Sequence, residues 1–200
     1  MGIHKINGGG LRNAIPRESE AVITVDNIDA LNEVAKRFES NVRAEHEVTD
    51  PDFAFELKEI DGVAKIADSE FSSQLLRAMY AVPNGIYRMS STVQGMVQTS
   101  NNIAQVKLEA GKFECLCLCR SSVDSEKEDE VRAIRSAFAA IGATVSSDGD
   151  YPGWAPRAQS DIVDLMSDLY TELFKEKANV MACHAGLECG IIGSNYPDMD

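Results

Sequence analysis

Two hydrophobic patterns alternate along this 200-residue chain: runs that suit strands, and stretches whose apolar side chains fall on one helical stripe. Residues 3–8 and "SEAVITV" (19–25) read as strands, and the glycines and Pro16 of "GGGLRNAIPRE" interrupt regular structure between them. In "DNIDALNEVAKRFESNVRAEH", Leu31, Val34, Ala35, Phe38 and Val42 share one stripe, with Asp26 or Asn27 as the helix cap. Phe53, Phe55 and Leu57 alternate in "DFAFELKEI", which predicts a strand. A second amphipathic helix follows, with Asp68 ahead of Phe71, Leu75 and Met79, and it ends before "VPNG".

The second half repeats this layout. "NNIAQVKLEAGKFECLCLCRSS" reads as a hairpin turning at Ala110-Gly111. Ser125 and Glu128 have capping-box spacing ahead of a helix with Val131, Ile134, Phe138 and Ile141 on its stripe. "GATVSSDGD" (142–150) is a short predicted strand. Residues 3–60 and 95–150 thus both read strand, strand, helix, strand, the pattern of a duplicated ββαβ unit. The prolines of "YPGWAP" mark a boundary. Beyond it Ile162, Leu165, Met166, Leu169 and Leu173 line another helix, "ANVMACHA" reads as a strand, and "GLECG" turns the chain. The final "SNYPDMD" brings no closing element, as in a chain cut from something longer.

Composition narrows the function. The formal charge is -13, from 32 acidic against 19 basic residues. Such a surface repels phosphate backbones and anionic lipid, which argues against nucleic acid and membranes as partners. No apolar run approaches the ~18–20 residues of a membrane span, and the N-terminus has no signal pattern. Ile6 stands where a myristoylation motif needs Ser or Thr. Five cysteines lack the spacing of a disulfide framework. The chain reads as cytoplasmic.

Few residues advertise chemistry. Cys115, Cys117 and Cys119 recur at period two, so on a strand they share one face. Side chains at that spacing stand roughly 6.5–7 Å apart and do not converge as C-x2-C ligands do. A buried apolar face is the simpler reading. His184 and Glu188 are four apart, as helical metal ligands are, but Gly186 between them and the preceding run favour a tight turn. Arg120 ends an apolar strand and Asn13 lies in an irregular loop. Arginine's fork suits a carboxylate and an asparagine amide can orient a carbonyl, although a local salt bridge or a turn contact accounts for each as well.

Six segments tip that balance. "LRNAIPRE" (11–18), "PNG" (83–85), "GMVQTSNN" (95–102), "CRSSVDS" (119–125), "YPGWAP" (151–156) and "HAGLECG" (184–190) occur in the order in which they stand in aminoacyl-histidine dipeptidases, also called Xaa-His or beta-alanyl-histidine dipeptidases, and the chain resembles that family. The resemblance implies a cytoplasmic dipeptidase. Its catalytic domain binds two divalent ions, normally zinc, and an inserted α+β lid closes over the dipeptide substrate. A metal-bridged water attacks the peptide carbonyl with the help of a glutamate base. The family's histidine and aspartate ligands, its paired glutamates and its Gly-His-Ser-Gly lid motif have no counterpart in this sequence. The expectation is therefore a fragment, inactive alone and without metal ligands of its own. Residues 3–150 form most of an antiparallel lid with helices on one face, and 151–200 a short α/β return into the catalytic domain. The remainder of that domain is then a partner, and a homodimer is open. By the same resemblance Asn13 contacts the dipeptide, Arg120 reaches the substrate carboxylate, and Gly186 and Glu188 line the pocket without binding metal. Two other readings stand beside it: a non-catalytic α+β interaction module that associates through sheet edges, and a thiol protein built on the three strand cysteines.

Overall fold

A long hairpin over residues 97–121 organises the computed structural model of the chain, which describes every residue except 63–66, 158, 184–186 and 200. In chain order the elements are β1 (Gly2–Gly9), β2 (Ser19–Thr24), α1 (Ile28–Glu45), α2 (Ser69–Ala81), β3 (Gly85–Met89), β4 (Val97–Glu109), β5 (Lys112–Ser121), α3 (Asp124–Ala139), α4 (Asp161–Phe174) and α5 (Glu188–Asn195). The class is α+β, with every strand pair antiparallel. Strand β4 is paired along both edges. On one side β5 follows it from Thr99 opposite Ser121 to Glu109 opposite Lys112. On the other side β1 faces Gln105–Leu108, β3 faces Val97–Asn101, and β2 lies outside β1. The hairpin turns at Ala110-Gly111, both with positive φ (53° and 80°), the backbone twist that a two-residue connection needs.

Helices α2 and α3 pack on one face of this sheet and make the core. Ala78 and Val82 at the end of α2 meet Ile134 and Phe138 of α3 over Ile103, Phe113 and the three strand cysteines. Leu75 joins Ile3 and Leu108 in an adjoining cluster. The two clusters share Met79, Phe113 and Ile141, so the core is continuous. Asp68 caps α2 by accepting the Phe71 N–H at 2.8 Å, and Asn27 caps α1 by accepting that of Ala30 at 3.0 Å. Inside α2, Ser72 Oγ accepts the Ile3 N–H at 3.1 Å, pinning β1 to the helix layer.

Several expectations need correction. Residues 53–60 form no strand, although Phe53 and Phe55 do share a face. That face lies on α1: Phe55 meets Phe38 edge-on at 5.6 Å, and Arg43 stacks over Phe53 at 5.6 Å. The segment is a strap across a helix, with no strand beside it to accept its backbone. Residues 142–150 likewise form no strand, though Ala143 and Val145 pack against the core. Without those two strands the ββαβ repeat is not reproduced. The described part of "ANVMACHA", 178–183, is irregular too. Strand β3 was legible only as the break "PNG". The capping box does not form, because α3 starts two residues too early for it. Val123 occupies the cap without a side-chain bond, and Glu128 instead pairs with Arg132 at 2.8 Å.

Candidate functional site

The site grows from the face of the sheet opposite α2 and α3. Side chains alternate along a strand, so each residue's neighbour fixes where it points. Cys119 faces the helices, with its thiol 3.6 Å from Asn101 Oδ1. Arg120, opposite Ser100, therefore emerges on the other face, as do Leu118 and its partner Asn102. The arginine comes from a strand whose alternate residues are half-buried cysteines, and it sits where that strand leaves the core.

A loop reaches the same face. Gly9 and Gly10 lead out of β1 beside a bulge in β4 at Ala104, where Gly10 N–H donates to Ala104 O at 3.1 Å. A side chain at Gly9 is excluded: its φ is +74° and a Cβ would fall 2.0 Å from that same oxygen. The loop's other end is tied by Gly9 N–H to Glu18 O at 3.2 Å. Between them the Asn102 amide donates to Arg12 O at 3.1 Å and to Ala14 O at 2.8 Å. Asn13, exposed, sits between those two carbonyls. Arg12 itself points away to Asp148 at 2.8 Å, and its guanidinium holds the Asp148 carboxyl below the usual range. Asn13 and Arg120, 107 positions apart in the chain, thus share one face of one sheet through Asn102.

A polar clamp fixes the strand end that carries Arg120. Thr99 Oγ1 donates to Glu126 Oε2 at 2.8 Å and meets Ser121 Oγ at 2.8 Å, while Gln98 donates to the same carboxylate at 2.8 Å. Arg88 of β3 completes it at 3.1 Å from Glu126 Oε1. Strands β3 and β4 are thus gathered on one carboxylate at the start of α3, and β5 joins them through Thr99. Sequence reasoning missed Asn102 and Glu126. For Asn102 the available signal was the run "QTSNN", five consecutive polar residues where a strand with one buried face would alternate, a pattern that needs compensating bonds.

Glu188 opens α5 and is exposed, a position where a helix N-terminus favours a carboxylate. Gly186 and His184 lie outside the described residues. Among the described residues, no three His, Cys, Asp or Glu side chains are placed to hold a metal ion. The strand cysteines line the core as expected, but Cys115 and Cys117 do converge, their sulfurs 3.9 Å apart because the two side chains lean together along the strand, and burial pushes the Cys119 thiol up to about 12. Beside them Glu130 is fully buried, and among the described residues neither carboxylate oxygen makes a well-formed hydrogen bond, the Cys119 thiol being a polar neighbour. Burial pushes that carboxyl up to about 7.

Fold and site together define an α+β domain whose helix-free sheet face, among the described residues, gathers an arginine and an amide-bearing loop. Comparison with known proteins points the same way. The chain is 37% identical over 198 residues to the cytosol non-specific dipeptidase of Escherichia coli (strain K12), covering 97% of this chain and 40% of that protein. A crystal structure of aminoacylhistidine dipeptidase from Vibrio alginolyticus matches all of this chain with a TM-score of 0.91 at 34% identity, over 41% of its own length. No family model matches. Over nearly its whole length the chain is thus similar to part of these dipeptidases, and it spans about two fifths of the length of the relatives it matches. No described helix is long and apolar enough to cross a membrane.

Proposed function

We propose that this chain is the substrate-capping part of a cytoplasmic, metal-dependent dipeptidase that hydrolyses Xaa-His dipeptides such as beta-alanyl-histidine. Residues 3–150 act as the lid, and 151–200 belong with the catalytic domain. One observation carries the reading: Asn102 ties the backbone around Asn13 to the sheet face from which Arg120 emerges. A dipeptide offers a carboxylate and a peptide carbonyl only a few bonds apart. Arg120 would take the first in a charge-assisted pair and Asn13 would orient the second. Gly186 and Glu188 would form the pocket wall facing them. In this proposal the rest of the enzyme supplies two divalent metal ions, zinc by preference, which polarise the carbonyl and activate water. The chain's own residues bind, orient and exclude solvent, so alone it is expected to be inactive.

The test is Arg120→Ala in the full-length protein, assayed on beta-alanyl-histidine. It should cost at least about tenfold in kcat/KM with metal content unchanged, and Arg120→Lys should recover part of the loss because it keeps the charge without the fork. Normal kcat/KM in a well-folded Arg120→Ala enzyme would defeat the substrate role.

A further inference from the structure

The turn between β5 and α3 binds more than it needs to close. Asp124 Oδ1 accepts the Gly153 N–H at 2.8 Å and the Lys127 ammonium at 3.0 Å. Lys127, only 13% exposed, also meets Asp150 at 2.7 Å, donates to the Tyr151 carbonyl and lies 5.7 Å from the Tyr151 ring centre. Gly153 approaches the turn so closely that a Cβ there would fall 2.5 Å from Ser122 O and 3.0 Å from Val123 N. On its other side the same segment packs on α5: a Cβ at Gly190 would come within 3.3 Å of both Pro152 O and Trp154 Cβ. Gly190 is two residues beyond Glu188. Residues 151–157 have no regular secondary structure, so their placement depends on such bonds.

We propose that Asp124 is a positioning residue: by holding Gly153 it registers residues 150–154, and the start of α5 stacked on them, against the strand end that presents Arg120. The placement stands on geometry alone, whereas its importance for turnover rests on the dipeptidase reading above. A carboxylate that receives a backbone N–H and an ammonium together is held by two charge-assisted bonds. Accordingly the Asp124 carboxyl lies below its usual range, first because of Gly153 and then Lys127. An acid in the first turn of α3 also favours the helix dipole, but that role needs no partner 29 residues away.

Two substitutions separate these roles. Asp124→Asn keeps an oxygen for Gly153 and loses the charge, whereas Asp124→Ala loses both. Hydrogen exchange at the Gly153 amide, followed by NMR, should accelerate at least about tenfold in Asp124→Ala and stay near native in Asp124→Asn. An unchanged Gly153 amide in Asp124→Ala would overturn the placement. Should that variant fail to fold, Asp124→Ser, too short to reach Gly153, is measured in its place with the same expected acceleration. In the full-length protein, kcat/KM on beta-alanyl-histidine should fall at least about tenfold in Asp124→Ala and be largely restored in Asp124→Asn. Both variants lose the charge and should melt earlier. Native kcat/KM in folded Asp124→Ala, or equal losses in the two variants, would reduce Asp124 to a strut. If the native full-length protein hydrolyses no dipeptide, the functional reading is what fails, and the Gly153 amide still decides the placement.

Discussion

Helices α2 and α4 present the same signature in sequence, an apolar stripe at helical spacing behind an acidic or hydroxyl cap, yet they meet opposite fates. In α2, Ser72, Leu75 and Ala78 are buried against the sheet. In α4 no residue is buried, and Ile162, Leu165, Met166, Leu169 and Leu173 stay 44–65% exposed. Helix α1 lies between these extremes: none of its residues is buried, but Phe53 and Phe55 strap its stripe. Amphipathicity states that a helix needs an apolar partner and is silent on which one. For α2 the partner is the sheet. The uncovered stripe of α4 fits the proposal that 151–200 belongs with a larger catalytic domain.

The sharpest way to break this contrast is paired truncation. Leu75→Ala, at 0% exposure, should cost about 2–5 kcal/mol in chemical denaturation. Leu169→Ala, 44% exposed, should cost less than about 1 kcal/mol. Equal losses would mean that α4 is packed as tightly as α2.

A smaller effect probes the polar flaw inside the packed layer. Buried Glu130 has its carboxyl raised from the usual 4.5 to about 7. The folded state therefore binds the proton more tightly than the unfolded chain. That contribution is fully present below pH 4.5 and is lost as pH rises through about 7, beyond which a buried carboxylate remains. Relative to the native protein, Glu130→Gln should thus gain roughly 2 kcal/mol of stability between pH 5 and pH 8. A pH-independent difference between the two proteins would show that Glu130 does not titrate as a buried acid.

The mildest test uses the cysteines, which divide along the same line. Cys183 and Cys189 are exposed, whereas Cys115, Cys117 and Cys119 are half-buried under α2 and α3. A thiol reagent at pH 8 should modify the first two at once and the strand cysteines at least about tenfold more slowly, because α2 and α3 cover their sulfurs and, at Cys119, burial also disfavours the thiolate. Five equal rates would place the sheet's helix face in solvent.

Much of the fold was legible in the sequence, because local rules govern it. The helical stripes, the Asn27 and Asp68 caps and the Ala110-Gly111 turn each depend on a few adjacent residues. The errors fall where local signals need a distant partner. Phe53 and Phe55 alternate as a strand would, and whether they join a sheet or lie on α1 depends on which surface is free. The Ser125–Glu128 box lost to contacts that start α3 earlier, among them Glu126 drawn onto Gln98, Thr99 and Arg88.

The same division holds for the site. Motif order singles out Asn13 and Arg120 from the sequence alone; by chemistry alone a turn contact and a local salt bridge would account for them as well. That they share a face was decided by tertiary structure. Face is set by strand register, here by Ser100 opposite Arg120 and by the bulge at Ala104. The loop is held by Asn102, nearly ninety residues away, as the separations of 90 and 88 positions in its two bonds record. Composition fixes what a side chain can bond, but only the folded backbone brings a donor from one strand to the carbonyls of a loop that the chain left long before.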